Sequence, residues 1–212
     1  VYGSLPSTAL YGRYLTWGIP EVLAQNLEST NSAISELSEY KYEDNSTLRS
    51  MFSSIWTEAY QTIGYANNIL EQLNDWSKES MPLYNYYKGE MLAVRALLHF
   101  DLLRLFAPMD MEKQGIPYVT AYSYEVKPFY KVGEVYSFIL KDLLEAETLM
   151  SEEGKTLKYP RNNENYYKFM NNRETHMNLY AVQALLARVY RMKGDMANAA
   201  LYAEKVINGQ PL

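Results

Sequence analysis

This sequence predicts an all-α protein of helical hairpins joined by long loops, and three stretches carry that prediction. Apolar residues recur at steps of three and four from Leu48 to Leu73. A run from Gly89 to Pro108 is apolar on nearly every side. The stretch from Asn178 to Gly209 reads as two helices broken at Gly194-Asp195. Steps of three and four return side chains to one helical face, which is the pattern a buried stripe requires. The simplest organisation is one helical domain over residues 1–212.

The first long helix follows Asn45-Ser46-Thr47, with Asp44, Asn45 or Ser46 available to cap its first turn. The triplet has the form of a glycosylation sequon, but a cap is the simpler role. Pro82 separates this helix from the next, and so short a link makes antiparallel neighbours. In the central run Met91, Val94, Leu98, Leu102 and Leu105 form one row, while Leu92, Leu97, Phe100, Leu103 and Phe106 cover much of the rest. Its length is near that of a membrane span, but Glu90, Arg95, His99, Asp101 and Arg104 interrupt it, and each is costly in lipid. It therefore reads as a central helix buried within a protein core. Gly115-Ile116-Pro117 marks a turn, and Val132, Val135, Tyr136, Ile139, Leu143, Ala146 and Met150 form the next stripe. Ser151–Thr175 is polar, Asn-rich and the longest loop, with Tyr159, Tyr166, Tyr167 and Phe169 set into it. In the last stretch Ala181, Ala184, Ala187, Ala199, Ala200 and Ala203 allow close helix crossing, and this pair resembles a tetratricopeptide hairpin.

Composition narrows the function. The formal net charge is -5 and no basic cluster occurs, which argues against a nucleic-acid partner. The absence of cysteine excludes disulfides, thiolate metal sites and a cysteine nucleophile. Two histidines, His99 and His176, lie too far apart in sequence for a metal cluster, so no metal or cofactor is expected. His99 reads as a core histidine whose same-face neighbour is Arg95. Neither a Gly-rich phosphate loop nor a Gly-x-Ser-x-Gly elbow is present. Spacing alone leaves a glycosidase carboxylate pair open, but Glu145, Glu147, Glu152 and Glu153 read as a solvated helix face. Arg95, Asp101 and Arg104 need partners on so apolar a helix, and internal pairs are expected. The 21 tyrosines are the unusual feature, since a Tyr ring joins a broad apolar face to a polar tip.

The central pattern is Gly-Glu, Arg-Ala, Phe-Asp-Leu, then Arg-Leu-Phe with a Pro two residues on. It resembles the SusD/RagB family of outer-membrane nutrient-binding lipoproteins. Trp56, Tyr60, Ile63, Ala66 and Asn67 match that family's first helix, and Gly115-Ile116-Pro117, Glu134-Val135-Tyr136 and Asp142-Leu143 extend the likeness. One departure is Lys131, where the family has a Thr cap; this leaves the capping box with Glu134 half formed. The resemblance implies the tetratricopeptide-like amino-terminal half of a longer protein. It further implies a surface lipoprotein, held through a lipid anchor missing from these residues, that captures glycan or oligosaccharide. Its cargo would pass to a TonB-dependent, SusC-like outer-membrane transporter, with no catalysis.

Sugar capture needs flat aromatic faces and short polar side chains. Glu39–Ser46 and Tyr159–Tyr167 mix both, and Tyr40, Tyr42 and Asn45 are the ligand-binding residues expected from the first. Two other readings stand beside this one. A tetratricopeptide adaptor binding peptide should show three or more repeats, where one hairpin is evident. A helical glycan-cleaving enzyme needs two carboxylates converging in a cleft.

Overall fold

The computed structural model describes residues 1–155 and 168–209. Among them seven α-helices follow in order: α1 (Ile19–Leu23), α2 (Ser32–Ser38), α3 (Ser46–Gln72), α4 (Tyr84–Phe106), α5 (Val132–Leu149), α6 (Leu179–Lys193) and α7 (Met196–Gly209). The all-α prediction holds. The chain divides into two compact units, Val1–Tyr65 and Ala66–Leu212, with the boundary inside α3. Tyr159, Tyr166 and Tyr167 lie outside the described residues.

In the first unit Ala9, Leu10, Ile19, Val22, Leu37 and Leu48 are buried. A π-helical turn, Tyr14–Gly18, leads into α1, whose first turn takes Pro20 where no backbone donor is needed. Asn31 caps α2 by accepting from the N–H groups of Ala33 and Ile34. The leading segment is held to α3 where the Ser7 hydroxyl donates to the Glu58 carboxylate.

The second unit is organised around α4. The residues from Gly89 to Ala96 are all buried, as are Leu98 to Leu103, which is what an all-round apolar run predicts. α5 runs antiparallel to it: Gly89, near the start of α4, lies against Ala146, Leu149 and Met150 at the end of α5. A Cβ on Gly89 would stand 2.9 Å from Met150 Cγ and 3.3 Å from the Ala146 carbonyl, so the absent side chain sets this approach. Across the α4–α5 connection the Gly133 N–H donates to Met111 O, the Val132 N–H to Lys113 O, the Gly115 N–H to Tyr130 O and the Tyr130 N–H to Ile116 O. Gly115–Pro117 is thus an extended, paired stretch and not the expected turn. Its glycine serves close approach, because a Cβ there would lie 3.1 Å from the Tyr130 carbonyl oxygen. At the start of α5, Lys131 has no acceptor to offer the first turn, so only Glu134 acts, accepting from the Lys131 N–H at 2.8 Å.

α6 and α7 form the closing hairpin. The Tyr180 hydroxyl at the start of α6 donates to the Gly209 carbonyl at the end of α7, and the Tyr190 and Tyr202 rings stack at 5.6 Å. Gly194 ends α6 in the left-handed conformation, with φ 91°, and Asp195 accepts from the Asn198 N–H to start α7. Replacing Gly194 by Ala forces a side chain into that conformation at a cost of about 1–2 kcal/mol. Thermal unfolding of Gly194→Ala is expected a few degrees below the parent; an unchanged midpoint would show that the turn does not depend on glycine.

Candidate functional site

Tyr40 terminates α2 in an unusual way. The Tyr40 N–H donates to Leu37 O and the Lys41 N–H to Glu36 O, the paired bonds of a helix end that needs a left-handed residue, here Tyr40 at φ 60°. Glycine normally fills that position, and an aromatic residue there stores strain. The hydroxyl of Tyr40 donates to Leu23 O, at the end of α1, at 2.8 Å, yet the residue remains 57% exposed. The result is a ring tethered at its hydroxyl, with more than half of the residue's surface exposed. Tyr42 is 39% exposed and meets Phe52 edge-on at 5.8 Å.

Asn45 is the cap of α3. Its Oδ1 accepts from the N–H groups of Thr47 and Leu48, and its Nδ2 donates to Glu36 at 2.6 Å. Its Nδ2 carries a second N–H beyond the one given to Glu36. Beyond it, Tyr14, Ser46, Thr47, Ser50, Met51 and Ser54 line an open cleft of about 370 Å³. Hydroxyls beside an aromatic ring suit a polyhydroxylated ligand, although Ser54 donates back to Ser50 O.

In the second unit the chemistry lies in sealed networks. Arg95 on α4 makes two parallel bonds to Asp142 on α5, Nε to Oδ2 at 2.7 Å and Nη2 to Oδ1 at 2.8 Å. Its Nη1 donates to Asn67 Oδ1 at 2.9 Å. Burial works against the guanidinium charge, but Asp142 more than offsets it and the pKa of Arg95 is raised. The Tyr118 hydroxyl donates to Asp142 at 2.6 Å; burial first, then the Asp142 charge, pushes that phenol far up, so it stays a donor. Asp142 falls on the buried stripe between Ile139 and Leu143, and a carboxylate at such a position was the available signal that Arg95 had a partner there.

His99 stands next to this pair, stacked on Tyr118 at 4.0 Å. Its Nδ1 lies 2.9 Å from the Arg95 carbonyl, and its Nε2 accepts from the Val119 N–H at 3.0 Å. Those partners require the neutral ring with the proton on Nδ1. Burial, partly countered by the bond to the Arg95 carbonyl, pulls its pKa down to about 3. It is a satisfied core histidine. Asp101 and Arg104 pair at 3.0 Å as their spacing implied, with the Arg104 guanidinium over the Phe100 ring.

Two carboxylates depart from the expected solvated face. Glu153 is fully buried, accepting from Arg173 Nε at 2.6 Å and from the Leu179 N–H at 2.9 Å. It thereby places a negative charge on the positive end of α6. Arg173 also grips Glu90 through both oxygens at 3.1 Å. Burial opposes the Arg173 charge, but Glu90 and Glu153 raise its pKa. Glu147 accepts from Gln183, Tyr202 and Lys205, tying α5 to α6 and α7. An amphipathic pattern on α5 alone cannot show that later helices cover its polar edge. Glu90 and Glu153 converge on one arginine away from solvent, so they present no acid–base pair to a substrate. Glu145 keeps a surface pairing with Lys88 at 2.9 Å. No group of three or more His, Cys, Asp or Glu among the described residues is arranged to hold a metal ion.

Residues 12–191 match the SusD-like family described as "Starch-binding associating with outer membrane". The chain belongs to that family. A putative sugar binding protein of Bacteroides vulgatus is 26% identical, with a TM-score of 0.75 over 98% of this chain and 44% of that one. A SusD superfamily protein of Bacteroides thetaiotaomicron is 23% identical, with a TM-score of 0.72 over 97% of this chain and 43% of that one. A laminarin binding SusD-like protein is 23% identical, with a TM-score of 0.61 over 86% of this chain and 34% of that one. The last two, at such identities, show the shared fold. The chain spans less than half the length of each of these structures. No curated protein sequence matches it. No helix among the described residues is long and apolar enough to cross a membrane.

Two predictions follow from the networks. Arg95→Ala strands a buried Asp142 and is expected to destabilise the protein by about 3–5 kcal/mol in urea unfolding, whereas Tyr42→Ala changes stability by about 1 kcal/mol or less. Equal losses would remove the distinction between core and surface made here. Because His99 stays neutral when folded and takes a proton when unfolded, stability is full above the unfolded value of 6.5. It falls as pH drops towards 3, by up to about 1.4 kcal/mol per unit. His99→Gln should flatten that slope between pH 6.5 and 4; an identical slope in both proteins assigns the effect to other groups.

Proposed function

We propose that this chain is the helical, amino-terminal part of a glycan-capturing protein of the outer-membrane surface and that it performs no catalysis. The observation that carries the reading is the family match over residues 12–191. Solved structures of a putative sugar binding protein and of a laminarin binding SusD-like protein share the fold and support the ligand class. Tyr40 and Tyr42 supply flat faces for C–H stacking, and Asn45 holds the start of α3 while offering one amide N–H. The clamped ring of Tyr40 adds little ordering entropy on binding, which favours affinity.

In this reading the whole protein is anchored by lipid and delivers oligosaccharide to a TonB-dependent, SusC-like transporter. The described helices serve as scaffold, and the α6–α7 hairpin is the tetratricopeptide-like element. Calorimetric titration of the full-length protein with starch, laminarin, xyloglucan, mannan and mucin-type oligosaccharides tests it. One class is expected to bind saturably without being cleaved, and Tyr40→Ala and Tyr42→Ala are each expected to weaken that binding about tenfold or more while the protein stays folded by circular dichroism. Turnover of any oligosaccharide, or full affinity in both variants, would remove the reading or the site respectively.

A further inference from the structure

The two short helices of the first unit end in the same way, and each end reaches across to the other. At the end of α1 the Gln25 N–H donates to Val22 O and the Asn26 N–H to Glu21 O, both at 2.9 Å. At the end of α2 the Tyr40 N–H donates to Leu37 O at 3.1 Å and the Lys41 N–H to Glu36 O at 2.8 Å. Both are paired-bond helix ends that require a left-handed residue, and the residues in that position are Gln25 at φ 59° and Tyr40 at φ 60°. Their side chains then cross. Gln25 Nε2 donates to Ser38 O at 3.4 Å, and the Tyr40 hydroxyl donates to Leu23 O at 2.8 Å. Ser38 and Leu23 are the last residues of α2 and α1, so each bond lands on the equivalent carbonyl of the opposite helix.

Glycine would form both ends without strain. In each helix the backbone bonds satisfy two of the carbonyls left open at the end, and the crossing side chain takes a third. Both crossing bonds are exposed, however, and there a protein partner replaces water for little gain in stability. Holding a glutamine in one rotamer also costs entropy. Two strained backbones and an ordered, exposed glutamine are thus a poor way to stabilise a turn. Their effect is geometric. Leu23 O receives the Tyr40 hydroxyl only while the ends of α1 and α2 keep one separation, and Gln25 is the second tie that spans them.

We propose that Gln25 is a positioning residue for Tyr40: by tying the end of α1 to Ser38 O, two residues before Tyr40, it holds the Tyr40 ring in one orientation. The proposal rests on the preceding reading in that the ring so held is the stacking surface for sugar. With its hydroxyl proton committed to Leu23 O, Tyr40 contributes ring surface and no donor. A ring already ordered loses no further rotamer freedom when a ligand packs on it. Gln25 itself touches no sugar and acts through Tyr40.

The test uses the full-length protein with 3-fluorotyrosine at position 40 alone, read by fluorine NMR, beside calorimetric titration with starch, laminarin, xyloglucan, mannan and mucin-type oligosaccharides. Gln25→Ala and Gln25→Gly are each expected to shift the fluorine resonance and to narrow it by about twofold or more, as the ring gains local motion. Gln25→Gly also relieves the left-handed strain, so its thermal midpoint is expected at or above the parent's while affinity for the bound oligosaccharide falls about three- to tenfold. A merely structural role would move stability and affinity in the same direction. In a Tyr40→Ala background, Gln25→Gly is expected to change affinity by less than about twofold, because its effect passes through the ring. An unchanged fluorine resonance in both variants overturns the proposal, as does full oligosaccharide affinity in both, or an equal loss of affinity with and without the Tyr40 ring. Absence of oligosaccharide binding in the parent protein counts instead against the glycan reading, and the fluorine spectrum still decides whether Gln25 holds the ring.

Discussion

The pairing of Arg95 with Asp142 is the constraint on which the second unit depends. Once α4 is apolar on nearly every side, a guanidinium in its middle has no route to water and must find a carboxylate inside. Asp142 supplies it from α5, which fixes the register of the two antiparallel helices. The remaining donors and acceptors of the pair then recruit Asn67 and Tyr118. Through them the end of α3, the two central helices and the strap after Pro117 become one hydrogen-bonded body. Removing any member leaves a polar group buried without its partner, which is why such a network is cooperative in its loss.

A second buried cluster works on the same principle nearer the start of α4. Glu90 and Glu153 close on Arg173, and Glu153 also meets the first free N–H of α6. The helix dipole and the arginine together make a buried carboxylate tolerable where either alone would be weaker. Asn178 caps α6 and reaches back to the Arg173 carbonyl at 3.0 Å, so the entry of the closing hairpin is set by side chains that belong to three different segments.

The abundance of tyrosine follows a division of labour. Tyr118 and Tyr202 bury their rings and give their hydroxyls to Asp142 and Glu147. Tyr40 gives its hydroxyl to a helix-end carbonyl and keeps its ring in solvent, at a backbone angle that side chains rarely accept. Tyr124 keeps everything in solvent. Residues of one type thus act as internal struts, as a tethered helix terminator and as an exposed ring, according to what surrounds them.

By itself the sequence determined the five long helices α3 to α7, because a stripe at steps of three and four has one low-energy solution, and the run from Gly89 to Pro108 announced the buried centre; the short α1 and α2 carry too few turns to show such a stripe. It also located two ends: Gly194 as the break before α7, and the cap of α3 among Asp44, Asn45 and Ser46, of which Asn45 makes the bonds. Local pattern carried the family likeness for the same reason. Tertiary structure alone decided which charges are inside, because Glu147 and Glu153 lie on or beside a helix whose polar edge is covered only when α6 and α7 close over it. It decided that Gly115 serves close approach where a turn was read, since the segment 130–132 that it meets is distant in sequence. And it decided that Tyr40 is strained and tethered, because φ at a helix end and a bond to Leu23 depend on how α1 and α2 come together, which no periodicity records.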